Sequence, residues 1–263
     1  TNGTLKNLSY VNDFDLAANN KLENVILLGT ATLDEATSGS VVVDNVTFSS
    51  LVTISAATTL SSPDFRSTLS VEENSTFTEG AVFANTVTVA SGKTLTLSGA
   101  VSGSNNIEGS GIVDLDDAQV VGLKFFAPVN LESTASSLTN VEIHDNLTLT
   151  GVNATVSGVL TVSGAGLYLD DKTITLLTDS SINVVSGSSL LIDGESSTGK
   201  ILGLSGNTLT GGTADVTLDN AATLDNIDLL DSDLTIVLTN GTLKNLSYVN
   251  DFDLAANNKL ENV

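Results

Sequence analysis

The sequence predicts an all-β chain: a single-stranded parallel β-helix (β-solenoid) of roughly 12–14 coils of about 19 residues. Three observations predict it. The composition is that of strands and turns. Apolar residues recur in a strand–bend–strand pattern. One 25-residue stretch occurs twice, letter for letter.

Composition comes first. Hydrophobic residues make up 41% of the 263, but aromatics only 4%, so the apolar content is Val, Leu, Ile and Ala. Two prolines, many Ser, Thr, Asn and Gly, and few helix-forming Lys, Arg, Gln or Glu favour strands joined by turns. The net charge is −22, from 31 acids against 9 bases, which repels nucleic acid and anionic membranes and offers no basic patch. Such a charge keeps long β-rich objects from pairing edge to edge. The absence of Cys removes disulfides and thiolate metal sites. No apolar run approaches the roughly 18 residues of a membrane-spanning helix.

Coil pattern follows. With Asn7 as zero, apolar residues fall at +1, +3, +7 and +9: Leu8, Tyr10, Phe14 and Leu16. The same offsets from Asn24 give Val25, Leu27, Ala31 and Leu33, and from Asn45 they give Val46, Phe48, Val52 and Ile54. Asn140 leads to Val141, Ile143, Leu147 and Leu149, and Asn153 to Ala154, Val156, Leu160 and Val162. Asn226 fits with one residue inserted late, and Ser62, Gly80 and Gly122 stand in for Asn elsewhere. Offsets of two put side chains on one face of a strand, and the gap of four is a corner. Asn suits a corner because it tolerates left-handed backbone and bonds neighbouring backbone; stacked, it forms amide ladders. The structural anchors are therefore Asn7, Asn24, Asn45, Asn140, Asn153, Asn226, Asn245 and Asn262. Spacing is short from Asn140 to Asn153 and long from Gly80 to Asn106, so bulges or loops are expected there. Inward positions should form Val, Leu and Ile ladders, with Phe65, Phe83, Phe125 and Tyr10 at wider spots.

The repeat is "TNGTLKNLSYVNDFDLAANNKLENV", at residues 1–25 and again at 239–263, an offset of 238 residues. It contains two anchors, so it is ordinary coil and not a cap. The expected organisation is one continuous β-solenoid over 1–263, with 1–238 as one long repeat and 239–263 as the start of the next. The two copies should be related by a shift of roughly 60 Å along the axis, and the sequence after Val263 should read "ILLGTATL".

Catalytic chemistry is not found. His144, the one histidine, is followed by Asp145, and sequence neighbours on a strand face opposite ways. Acidic clusters occur at Asp114, Asp116 and Asp117 and at Asp170 and Asp171, but Arg66 is the one arginine and nothing places a cation beside them. No catalytic or cofactor-binding residue is assigned. For a metal, Asp225, Asp228, Asp231 and Asp233 are the structural calcium candidates, without an EF-hand or nonapeptide signature. Asn-x-Ser/Thr triplets are no more frequent than this composition produces. Outward Thr pairs such as Thr86 and Thr88 are good strand residues. The Gly-rich stretches 98–111 and 204–212 read as turns, since neither precedes Lys and a helix.

These acidic, Cys-free, Val/Leu/Thr/Asn/Gly-rich coils resemble the β-solenoid shafts of giant repetitive bacterial surface proteins, including filamentous-haemagglutinin-like adhesins. The resemblance rests on composition and coil pattern over the whole chain. It implies a secreted or cell-surface fibre acting in attachment or filament formation, with self as partner through end-to-end stacking of repeats and through bundling. A missing hexapeptide pattern favours the right-handed form. The alternatives are a glycan-binding solenoid module, for which Tyr168 is the aromatic outside the core pattern, and, more remotely, a polysaccharide-degrading β-helix enzyme.

Overall fold

The computed structural model describes residues 4–15, 21–33, 42–132, 136–150, 153–169, 172–194, 199–229, 234–248 and 257–263. These residues are all-β, without helix: parallel strands are stacked in a β-solenoid of about 12 turns of about 19 residues. The chain divides into two compact units, Thr1–Pro128 and Val129–Val263.

In the first unit the inward residues alternate along short strands and stack into rows. One row runs Ala31, Val52, Leu69, Val87, Ile107, and another Leu27, Phe48, Phe65, Phe83. All are at most 3% exposed. The phenylalanines stack face to face, with ring centroids 5.0 Å apart for Phe48–Phe65 and 5.8 Å for Phe65–Phe83, while Phe77 tilts in from the side. The pleat sends alternate residues inward and the parallel register puts like on like, so each coil covers the apolar face that its neighbour cannot cover alone. Phe125 is also fully buried, whereas Tyr10, on the outermost described strand, is half-buried.

The second unit has the same rows: Val129, Leu147, Leu167, Ile192, Leu218, Leu238, and Ala154, Ile174, Ile201, Leu224, Leu243, Leu260. Its coils are less uniform. Paired residues are 17 apart for Thr242↔Lys259 but 27 apart for Thr173↔Lys200 and Ser181↔Thr208. The long coils turn on four-residue β-turns, with the amides of Ser180, Ser188 and Ala214 bonded to the carbonyls of Leu177, Val185 and Gly211 at 2.9–3.0 Å. A β-turn uses more chain than a corner made by one left-handed residue. The even spacing expected from sequence therefore fails between Asn153 and Asn226.

Both irregular places expected from anchor spacing carry register shifts. One lies at Leu97/Gly99, where the partner strand has one extra residue, and one at Thr139/Val141. At the first, Gly80 and Gly99 pack backbone to backbone. A Cβ on Gly80 would lie 2.3 Å from the Ala100 carbonyl oxygen, and its φ of +102° also excludes other residues.

Candidate functional site at the repeated segment

Where both copies of the 25-residue stretch are described, their strands pair in the same register. In the first, Thr4↔Lys21, Leu5↔Leu22 and Lys6↔Glu23 pair in parallel; in the second, Thr242↔Lys259, Leu243↔Leu260 and Lys244↔Glu261 do so. The corner asparagines share one backbone state: φ is 54° at Asn7 and 50° at Asn245, 54° at Asn24 and 57° at Asn262. The charges match as well. Lys6 and Lys21 flank Glu23, and Lys244 and Lys259 flank Glu261. Hydrogen bonds from Lys6 and Lys21 hold the Glu23 carboxyl below its ordinary range, and bonds from Lys259 and Lys244 do the same for Glu261.

The ladder of asparagines continues into the flanking coils. Asn45 Nδ2 donates to Asn24 Oδ1 at 2.6 Å, Asn262 Nδ2 to Asn245 Oδ1 at 2.8 Å, and Asn245 Nδ2 to Asp225 Oδ1 at 2.9 Å. Asn45, Asn140 and Asn226 are also left-handed, as are Ser62, Gly80 and Gly122. Asn140 Oδ1 accepts from the Val159 amide at 3.1 Å, and Asn226 Nδ2 donates to the Gly203 and Leu204 carbonyls. Asn153 is not left-handed. Its Oδ1 accepts from the Thr173 amide at 2.8 Å, and the left-handed residues described in that coil are Gly158, at φ 72°, and Gly164, at φ 67°. The four apolar residues counted from Asn153 still point inward, with Ala154, Val156, Leu160 and Val162 at most 2% exposed.

Because the copies are identical, the rows on either side of them can be read as one sequence of contacts. Leu224 stacks on Leu243 and Leu243 on Leu260. The equivalent of Leu260 is Leu22, which stacks on Val43. Likewise Leu209 pairs with Leu229 and Leu229 with Tyr248, whose equivalent Tyr10 pairs with Leu27, which pairs with Phe48. Both rows stay apolar through the join.

Of the calcium candidates, Asp225 is 6% exposed and committed to an ion pair, its Oδ2 lying 2.8 Å from Lys200 Nζ. Burial alone would raise its pKa, but the bonds from Lys200 and Asn245 and the charge of Lys244 outweigh burial and hold it low. Asp228 Oδ1 accepts from the Ser247 amide at 2.9 Å. Asp231 and Asp233 lie outside the described residues, as do Asp170 and Asp171. Among the described residues no three of His, Asp and Glu come together as a cation's ligand set. His144 Nε2 lies 3.1 Å from Glu142 Oε2, two residues back on the same face, and Asp145 instead accepts from the Asn146 amide. The Lys6–Glu23 and Lys200–Asp225 pairs escape sequence reading because each joins residues one coil apart, and coil length must be known before they can be matched. Tyr168 is half-buried, with its ring beside Gly166, in a shallow depression of about 290 Å³ lined also by Asn146, Leu191 and Thr217. No helix among the described residues is long and apolar enough to cross a membrane.

No family model matches the chain, no curated protein matches it, and no solved structure matches its fold.

Proposed function

We propose that this chain is a structural repeat of a secreted or cell-surface shaft, of the kind found in filamentous-haemagglutinin-like adhesins, and that it works by length. The observation that carries this reading is the join. The coil at Thr223–Asp225 is followed by residues 242–248, whose twins at 4–10 lead through Lys21–Leu27 to residues 42–48, with apolar rows, corner asparagines and parallel register all continuing. A surface that continues into its own beginning is the requirement for an open solenoid array. The excess of acid on such a shaft opposes lateral sticking. The shaft needs no cofactor and no catalytic group; its partners are further copies of itself and the surface at its tip.

Immunogold labelling of intact cells with antibody raised to the 263-residue chain tests this. Labelled fibres standing off the envelope, removed by brief external protease, are expected. Antigen reachable only after lysis overturns the proposal. A second reading, glycan binding, has the Tyr168 depression in its favour. It predicts binding on a glycan array that Tyr168→Ala abolishes.

A further inference from the structure

The depression at Tyr168 lies within the second unit, on the outward side of one run of strands. Gly166 and Tyr168 pair with Leu191 and Asp193, and these with Thr217 and Asp219. Alternation by two turns both columns outward: Gly166, Leu191, Thr217 and Tyr168, Asp193, Asp219. The Tyr168 ring takes the space over Gly166, where a Cβ would stand 2.7 Å from Cε2 and 3.0 Å from Cζ. The Gly166 backbone is not left-handed, so glycine supplies room for the ring there and not a turn. Gly166 is buried beneath the ring, with its amide donating to Asn146 Oδ1 at 3.0 Å. The ring therefore lies along the sheet and does not stand up from it.

The column beside the ring is acidic. Asp193 takes the next place along the stack and Asp219 the one after, about 4.8 Å per step. Asn220 orients both carboxylates: its Nδ2 donates to Asp193 Oδ1 at 2.9 Å, and its amide donates to Asp219 Oδ1 at 2.7 Å. These donors are neutral and cancel no charge. No lysine or arginine is among the residues that line the depression, and the chain as a whole carries −22.

We propose that this depression binds a linear glycan bearing protonated amino groups, laid along the stack with one sugar on the Tyr168 ring and an amine beside Asp193. The proposal rests on the glycan-binding reading above and names the class of sugar. An aromatic ring takes the C–H face of a pyranose, and its face also attracts a cation. Carboxylates next to it accept from hydroxyls, pair with ammonium groups and repel acidic sugars. The coil spacing is close to the length of one pyranose unit, so successive sugars meet Tyr168, Asp193 and Asp219 in turn.

Titration calorimetry of the chain with tetramers of glucosamine, N-acetylglucosamine and glucuronic acid tests this. The buffer is at about pH 5.5, where amines and carboxylates are both charged, and about 0.15 M salt, which screens exposed charges beyond about 8 Å. The glucosamine tetramer should bind about tenfold more tightly than its N-acetylated twin, which keeps the sugar faces but not the charge. The acidic tetramer should not bind. Tyr168→Ala should abolish binding of both others. Asp193→Asn, which can still accept from Asn220, should cut the preference to about threefold or less. Asp116→Asn removes the same charge from an exposed site in the first unit and should change nothing. Equal affinity for the two tetramers, both lost in Tyr168→Ala, overturns the amine preference and leaves the glycan reading standing. A tenfold preference that survives Asp193→Asn, or that Asp116→Asn removes equally, is attraction to the acidic surface as a whole and overturns the proposal. Binding of no tetramer overturns it too, and a glycan array silent throughout overturns the glycan reading with it.

Discussion

Residues 1–25 and 239–263 are one sequence in two surroundings. They share register, left-handed corners and the Lys–Glu–Lys cluster. They differ in which half is covered. In the first copy the second strand is sandwiched, with Leu22 0% exposed and Leu5 half-buried; in the second copy the first strand is, with Leu243 0% exposed and Leu260 half-buried. Local conformation here is thus fixed by the residues themselves and by contact with one neighbouring coil. Burial, and with it stability, is supplied by the second neighbour.

The largest expected effect follows from that crossed pattern. Leu22→Ala and Leu243→Ala should each cost about 2–4 kcal/mol, because each empties a fully buried site between two coils. Leu5→Ala and Leu260→Ala, the same changes at the open sites, should cost about 1 kcal/mol or less. Solenoids unfold in parts, so the measurement is hydrogen exchange strand by strand rather than one melting temperature. If the cost follows sequence position within the repeat and not coverage, the comparison is broken.

Much of this was legible beforehand. Alternation by two gave the inward face at Val25, Leu27, Val52 and Ile54, all at most 1% exposed. Breaks in the anchor spacing marked both register shifts. What could not be read depends on how far the chain travels per turn. The β-turn corners after Asn153 lengthen the coils to 27 residues at Thr173↔Lys200. The next coil steps 23 residues, Lys200↔Thr223, and without that length Lys200 cannot be matched to Asp225, which then reads as a free carboxylate for calcium instead of an ion-paired one. Asn153 fits the apolar pattern, but the left-handed bends of its coil are at Gly158 and Gly164, because the apolar offsets report which side chains face inward and not which residue turns the backbone.

A smaller effect separates the two jobs of a corner asparagine. At Asn24, Ala must adopt φ near 54° and lose the bond from Asn45, which should cost about 1–2 kcal/mol. Gly accepts that backbone freely and loses only the bond, so Asn24→Gly should cost about half as much. Asn262→Ala, with a bond on one side only in the described stack, should cost less than Asn24→Ala. Equal losses for Ala and Gly at Asn24 would show that the amide ladder, not the backbone, sets the corner.

The smallest effect concerns what the second copy has and the first lacks: a described coil before it that carries a carboxylate. Asn245 donates to Asp225, and Lys244 adds to the field that holds Asp225 ionised; among the described residues Asn7 and Lys6 have no preceding coil. Asp225 has a folded pKa below its ordinary value of 3.8. Its stabilisation is therefore complete above that value and is lost as the pH falls through the lower folded pKa. Asp225→Asn should cost about 1–2 kcal/mol at neutral pH, since Lys200 keeps part of its contact with water, and should flatten the acid dependence. Hydrogen exchange of Thr242–Lys244 should accelerate in the parent as the pH falls below 3.8, beyond the intrinsic pH effect, and less so in the variant, where the Glu261 cluster alone remains to respond. The Thr4–Tyr10 strand is an internal control: it lacks that carboxylate, so the substitution should leave its acid response unchanged. A matching change there would mean that acid loosens both copies through net charge alone, and that the Asp225 contact adds nothing particular to the join.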